Sequence, residues 1–192
     1  MPGKIFRISK GQLCYCRPVR ENPPGAGQSW SVTWGEQAPD VVEHLLRDLP
    51  EWFGIEASNR EYVAAAGHRL TYLARSASSS AGPGGAPAGA LLVARHFPAS
   101  AEIYWLGVSR NLHRQGVGHA LVSALEADLI TEGVSFLFVK TLGPSHPDAG
   151  YAKTRLFYEA MGFAPLEELH DLWGPDSPCL IMIKALRGQS YG

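Results

Sequence analysis

Apolar residues recur along the chain with two different periods, and the order in which the periods alternate outlines an architecture. Asp40 reads as an N-cap ahead of Val41, Val42, Leu45, Leu46 and Leu49 at helical spacing, with Pro50 closing the run. A second short helix is expected from about Ser58 through Tyr62 and Ala66, stopping at Gly67. Residues 70–75, 89–97 and 102–108 then read as strands with short links, which implies an antiparallel meander. The link at 76–88 is almost wholly Ser, Ala, Gly and Pro. Such a stretch buries too little apolar surface to offset its ordering entropy, so a mobile loop is expected there and no crossover helix.

Beyond residue 108 the pattern changes. Val117, Leu121, Ala124 and Leu125 mark one face of a helix reaching about Glu132, and Gly133 closes it. Residues 134–141 form a near-continuous apolar run, as expected of a strand buried on both faces. A further helix is expected from about Tyr151 to Met161, where Leu156 and Ala160, like Phe157 and Met161, stand four apart. Residues 163–170 and 179–186 read as a closing pair of strands. The strand–helix–strand unit from Glu102 to Thr141 demands a parallel pairing inside an otherwise antiparallel sheet. The expectation is an α/β (α+β) fold in one domain spanning residues 1–192. Residues 1–38 are the least legible, with a candidate strand at 13–19 and a loop around Pro23 and Gly27.

Composition changes this picture little. Hydrophobic residues make up 45% and charged residues 18% of the 192 residues, with a formal net charge of -1. No basic excess argues for nucleic acid, and no run approaches the ~20 apolar residues that cross a bilayer. Three cysteines, Cys14, Cys16 and Cys179, do not suggest a disulfide framework, so a reducing cytoplasm is expected. Cys14 and Cys16 lack a second ligand pair to complete a zinc site, and no metal is expected. Cys179 reads as a small hydrophobe in a strand.

The candidate chemistry begins at His113-Arg114-Gln115-Gly116-Val117-Gly118-His119-Ala120, where a strand gives way to a helix. Two glycines let the backbone turn tightly and leave its amides unshielded. The free N–H groups and the positive end of the helix dipole suit a phosphate or diphosphate, and Arg114 adds a possible charge-assisted bond. The alternative is that Gly116 and Gly118 only permit close packing. The third glycine of a dinucleotide fingerprint and the Lys-Ser/Thr of a Walker loop are both missing.

In sequence order, AEIYWLGVSRNLHRQGVGHALVSALE, VSFLFVKTLG and TRLFYEAMGF resemble the GNAT superfamily of N-acetyltransferases, over roughly residues 70–186. The resemblance implies a mostly antiparallel mixed sheet of about six to seven strands, its central parallel pair splayed into a V and flanked by about four helices. It implies acetyl-CoA as co-substrate, with its diphosphate on residues 113–120 (His113, Arg114, Gln115, Gly116, Val117, Gly118, His119 and Ala120). His113 stands where the family places Gln or Arg. A bulge at Leu106, Gly107 and Val108 would bond the pantetheine arm, with Tyr151 and Thr154 of the last helix alongside. Tyr151 occupies a position where the family often has Asn.

The same resemblance implies a base at Glu102 and a general acid at Tyr158. An alkyl ammonium with a pKa near ~10 must lose a proton before it attacks, and a phenol of similar pKa can donate to a departing thiolate. Glu102 reads equally as a salt-bridged strand-end residue, and Tyr158 otherwise as a core aromatic. Trp52, Phe53, Tyr62, Trp105 and Trp173 are candidates to wall the acceptor pocket, each also a core candidate. The expected activity is acetyl transfer to a primary amine, of a small molecule rather than a protein lysine or N-terminus, by direct attack in a ternary complex. The alternative is a non-catalytic acyl-CoA-binding regulatory module. A homodimer is possible.

Overall fold

A computed structural model describes residues 20–21, 29–35, 37–77 and 86–186. The candidate strand at 13–19 and most of the Ser/Gly-rich stretch lie outside the described residues. Eight strands form one sheet in the order β1-β2-β3-β4-β5-β6-β8-β7. They are β1 (Arg20–Glu21), β2 (Trp30–Trp34), β3 (Leu70–Ser76), β4 (Gly89–Phe97), β5 (Ser100–Val108), β6 (Phe136–Leu142), β7 (Ala164–Leu169) and β8 (Cys179–Ala185). Four helices accompany them: α1 (Pro39–Asp48), α2 (Glu56–Ala66), α3 (Val117–Thr131) and α4 (Ala149–Ala160). Every pairing is antiparallel except β5 with β6.

Alternation along the strands sorts the side chains onto two faces. Tyr72, Leu91, Val93, Ile103, Leu137 and Val139 point to one face and pack against Leu121, Leu125 and Leu129 of α3, with Tyr158 of α4 in the same cluster. Leu73, Ala90, Leu92 and Trp105 point the other way, against Val42, Leu45 and Leu46 of α1 and Ala65 and Ala66 of α2. Burying a Leu or Val is worth about 1.5–3 kcal/mol, so α1 and α3 are held chiefly by their apolar stripes, whereas α2 buries only Ala65 and Ala66 and α4 only Tyr158.

The structure corrects several boundaries. Helix α1 is capped at Ala38 with Pro39 at its first position, and Asp40 falls in the first turn. Proline has its φ preset for that place and no N–H to leave unpaired, so the helix starts two residues earlier than it would with Asp40 as its cap. Strand β2 lies in the segment that was illegible. Its Trp-Ser-Val-Thr-Trp alternation is a strand pattern, and Trp30 and Val32 are buried. Strand β8 inserts between β6 and β7, so the last two strands close the sheet in inverted order.

Candidate functional site

The parallel pairing of β5 with β6 is short. It runs from Ser100 with Phe136 to Ile103 with Val139 and then ends, although β5 continues to Val108 and β6 to Leu142. The cause is local. Leu92 pairs with Trp105 and the next residue, Val93, with Ile103, which leaves Tyr104 as an extra residue on β5. A bulge of this kind bends the strand and increases its twist. The extra residue is therefore Tyr104, earlier than the expected Leu106–Val108 position. Residues 105–108 keep their pairing to β4 on one side, while the side toward β6 is an unpaired edge within the sheet. Such an edge can bond an extended ligand as though it were a strand.

The helix N-terminus expected to take an anion lies at the end of that edge. Gly116 caps α3 with φ of 85°, a left-handed conformation open to glycine at little cost. Arg114 before it has φ of 60°. The first intrahelical bond here runs from the Ala120 N–H to Gly116 O, at 2.9 Å. The amides of Val117, Gly118 and His119 are the ones that a helix leaves without internal partners. No acidic residue occupies this first turn and no side chain caps it. The indole of Trp30 donates to Gln115 O at 2.7 Å, fixing the loop from β2. Gly118 has a second role: a Cβ there would stand 3.2 Å from the Phe157 ring, so its absence lets α4 approach α3 closely.

Other contacts anchor the loop from outside. The Asp48 carboxylate at the end of α1 accepts from the Arg110 N–H at 2.8 Å and the Ser109 hydroxyl at 3.1 Å. The Arg110 guanidinium donates to Asp48 O and to Glu51. Arg110 also holds Asp48 and Glu51 below the usual carboxylate range, through its amide and its side chain respectively. His113 Nε2 bonds Val108 O at 2.8 Å, and its ring meets Trp52 edge-on at 5.6 Å. Tyr151, in the first turn of α4, donates its hydroxyl to Trp52 O at 2.6 Å. The Thr154 hydroxyl bonds Gly150 O within the same helix.

Where the strands begin to part, Glu102 sits one step before the last parallel pair, opposite Phe138. Its carboxylate is buried and doubly partnered: Oε2 lies 2.5 Å from His96 Nε2, and Oε1 3.1 Å from Lys140 Nζ. Neither partner was singled out from the sequence. A lysine inside the apolar run of β6 was the available signal for one. The bulge on β4 that places His96 between Arg95 and Phe97 leaves no trace in composition.

Tyr158 lies buried on the opposite, α3 side of the sheet, between the rings of Phe157 and Phe163 at 5.1 and 5.5 Å. Desolvation pushes its phenol well above the ordinary value, so it is protonated at any neutral pH. Cys179 is a buried thiol pushed up to about 11 by desolvation, which suits the packing role expected of it.

The aromatic residues divide into groups. Phe53, Tyr62 and Trp105 come together with Tyr104, ring centroids 5.7 to 6.4 Å apart. Trp52 turns instead toward His113 and Gly150. Trp173 is 46% exposed in the connection between β7 and β8, with no ring contact to that cluster among the described residues. The indole Nε1 of Trp105 is buried and unpartnered. Among the described residues no group of His, Cys, Asp and Glu could hold a metal, and no helix is long and apolar enough to cross a membrane.

A mixed sheet opened into a V beside an uncapped helix N-terminus is the framework of an acyltransferase that takes its acyl group from a coenzyme A thioester. The model of the acetyltransferase (GNAT) family matches residues 30–163, and the chain belongs to that family of N-acetyltransferases, which use acetyl-CoA. No sequence among the curated proteins matches this one significantly. Solved structures share the fold. The Escherichia coli ribosomal-protein-S18-alanine N-acetyltransferase aligns with a TM-score of 0.65 at 18% identity, over 85% of this chain and 97% of that one. An aminoglycoside 6'-N-acetyltransferase from Enterococcus faecium aligns with a TM-score of 0.60 at 19% identity, over 83% and 98%. Another aminoglycoside 6'-N-acetyltransferase, complexed with coenzyme A, aligns with a TM-score of 0.61 at 17% identity, over 83% and 98%.

Proposed function

We propose that the chain transfers the acetyl group of acetyl-CoA to a primary amine of a small molecule by direct attack in a ternary complex. The observation that carries this reading is the parting of β5 from β6 after Ile103 and Val139, which gives the thioester arm an unpaired edge leading from the open end of α3. The amides of Val117, Gly118 and His119 hold the diphosphate, with Arg114 beside them, while the Ala120 N–H is spent on Gly116 O. Residues 104–108 hold the pantetheine arm, flanked by Tyr151 and Thr154, and a backbone N–H near Val108 polarises the acetyl oxygen. Glu102, at the closed end of the V, removes the amine proton, and Tyr158 protonates the thiolate as it leaves.

Phe53, Tyr62 and Tyr104, all partly exposed, give the acceptor side an aromatic wall, backed by the buried Trp105. That wall favours an amine carried on an apolar body over a polycationic sugar or a protein tail. The test is coenzyme A release with phenethylamine, tryptamine, spermidine, kanamycin and an alanine-terminated peptide, beside calorimetry of acetyl-CoA binding. Turnover on the aromatic amines supports the reading. Tight acetyl-CoA binding without turnover on any amine would show a binding module instead.

A further inference from the structure

We propose that His96 is the proton outlet of this active site, passing to solvent the proton that Glu102 takes from the acceptor; the inference rests on the reading of Glu102 as the base. The stoichiometry demands an exit. An ammonium that becomes a secondary amide gives up two protons. One ends on the thiol of coenzyme A, and the other must leave the protein in every turnover.

Glu102 cannot release that proton to bulk water directly, because its side chain is only 5% exposed. Of its two oxygens, Oε1 faces Lys140, and an ammonium offers donors but no lone pair. Lys140 holds the carboxylate in place without relieving it of a proton. Oε2 faces His96 Nε2 at 2.5 Å, and the His96 side chain is 42% exposed. An imidazole accepts at one nitrogen while it donates at the other, which is the property a conduit between a buried acid and water requires.

The step balances as follows. The Oε2–H bond of protonated Glu102 breaks and an Nε2–H bond forms on His96, while Nδ1 of the same ring gives its proton to water. Proton exchange with solvent then restores the first tautomer. The other groups near Glu102 do not compete. The Cys179 thiol is buried, the Tyr62 phenol is neutral, and Phe138, whose ring lies 5.6 Å from that of His96, carries no proton to exchange.

The test uses the full chain with the amine that supports the fastest coenzyme A release. His96→Ala should lower kcat at least tenfold while the KM for acetyl-CoA stays within twofold, and added imidazole should restore rate in proportion to its concentration. His96→Gln keeps a donor for the carboxylate but relays no proton, so it should be as slow as the alanine variant. A wild-type kcat in His96→Gln, or no rescue of a folded His96→Ala by imidazole, overturns the proposal. If His96→Ala fails to fold, His96→Gln alone decides. Glu102→Gln separates the two levels: wild-type turnover in it removes the base itself, whereas an inactive Glu102→Gln beside a fully active His96→Gln removes only the outlet.

Discussion

The hydroxyl of Tyr151 donates to the carbonyl oxygen of Trp52 at 2.6 Å, joining the first turn of α4 to the connection between α1 and α2. Gly150 makes room for this approach: a Cβ there would lie 3.3 Å from Trp52 Nε1. Trp52 in turn meets His113, which bonds Val108 O. The chain of contacts Tyr151–Trp52–His113–Val108 therefore links the two elements that flank the open end of the V.

From this link we expect Tyr151→Phe to lose one hydrogen bond worth about 1 kcal/mol, leaving the Trp52 carbonyl without its donor. In a chain of this size that corresponds to a fall in Tm of about 2–4 °C. The Kd for acetyl-CoA should rise severalfold because the end of the cleft is less well held, with kcat little changed. Scanning and titration calorimetry on the variant measure both. Unaltered Tm and Kd together would mean that the tether contributes nothing.

Gly118→Val tests the loop by a route the sequence did not disclose. A side chain at 118 meets the Phe157 ring before any ligand arrives, since the first added carbon already stands 3.2 Å from Cζ. Overpacking of this kind costs about 1–3 kcal/mol, and displacing α4 disturbs Tyr158 on its next residue. The variant should lose stability and acetyl-CoA affinity together, as read by urea unfolding and calorimetry. A variant with normal stability and normal affinity would contradict both the packing and the assignment of the loop.

The contrast between these two sites shows what a single sequence discloses. The Gly116–Gly118 loop was legible because its information is local: two glycines, a strand behind and a helical period ahead. The same holds for β4, whose bounds of Gly89 and Phe97 follow from its own continuous apolar run and flanking turns. The bulge at Tyr104 was not legible at its true position, because it is a mismatch between two strands and appears in neither alone. Lys140 and His96 converge on Glu102 for a like reason. The parallel register of β5 with β6 follows a helical crossover whose exact length and tilt no pattern of residues fixes. Strand β2 was missed for want of apolar length, although Trp30 and Trp34 face the same way as strand periodicity requires.

Buried phenols make a separate prediction about alkaline pH. Desolvation raises Tyr62 to about 12, and also raises Tyr72, Tyr151 and Tyr158. These folded-state values exceed the unfolded value near ~10. Below that pH the phenols are protonated in both states, and their contribution to stability is fully present. Above it the unfolded chain ionises first, so stability falls by roughly 1.4 kcal/mol per pH unit for each tyrosine. For Tyr62 the loss continues until about pH 12. Urea midpoints measured from pH 8 to 11 should be flat at first and then drop, and Tyr72→Phe should make the drop shallower. A midpoint independent of pH up to 11 would show that these hydroxyls reach water.

Tyr158→Phe addresses the chemistry directly. The phenol is buried between Phe157 and Phe163, and desolvation keeps it protonated throughout the neutral range, so it can give up a proton only to a strong base formed nearby. A thiolate is an ordinary weak base in water, but one departing into the same desolvated surroundings is raised with the phenol, so it takes the proton as the C–S bond breaks. Removing the hydroxyl while keeping the ring leaves the packing of α4 on α3 intact, so acetyl-CoA should bind with unchanged affinity. The rate should fall by an order of magnitude or more, because the lost interaction exists in the transition state alone. Replacing the thioester by one whose thiol is more acidic should recover much of the deficit, since a better leaving group needs less protonation. Steady-state kinetics with the two thioesters, beside a binding isotherm, decide the matter: equal kcat in Tyr158→Phe and wild type would leave the thiolate to be protonated by water and return Tyr158 to the core.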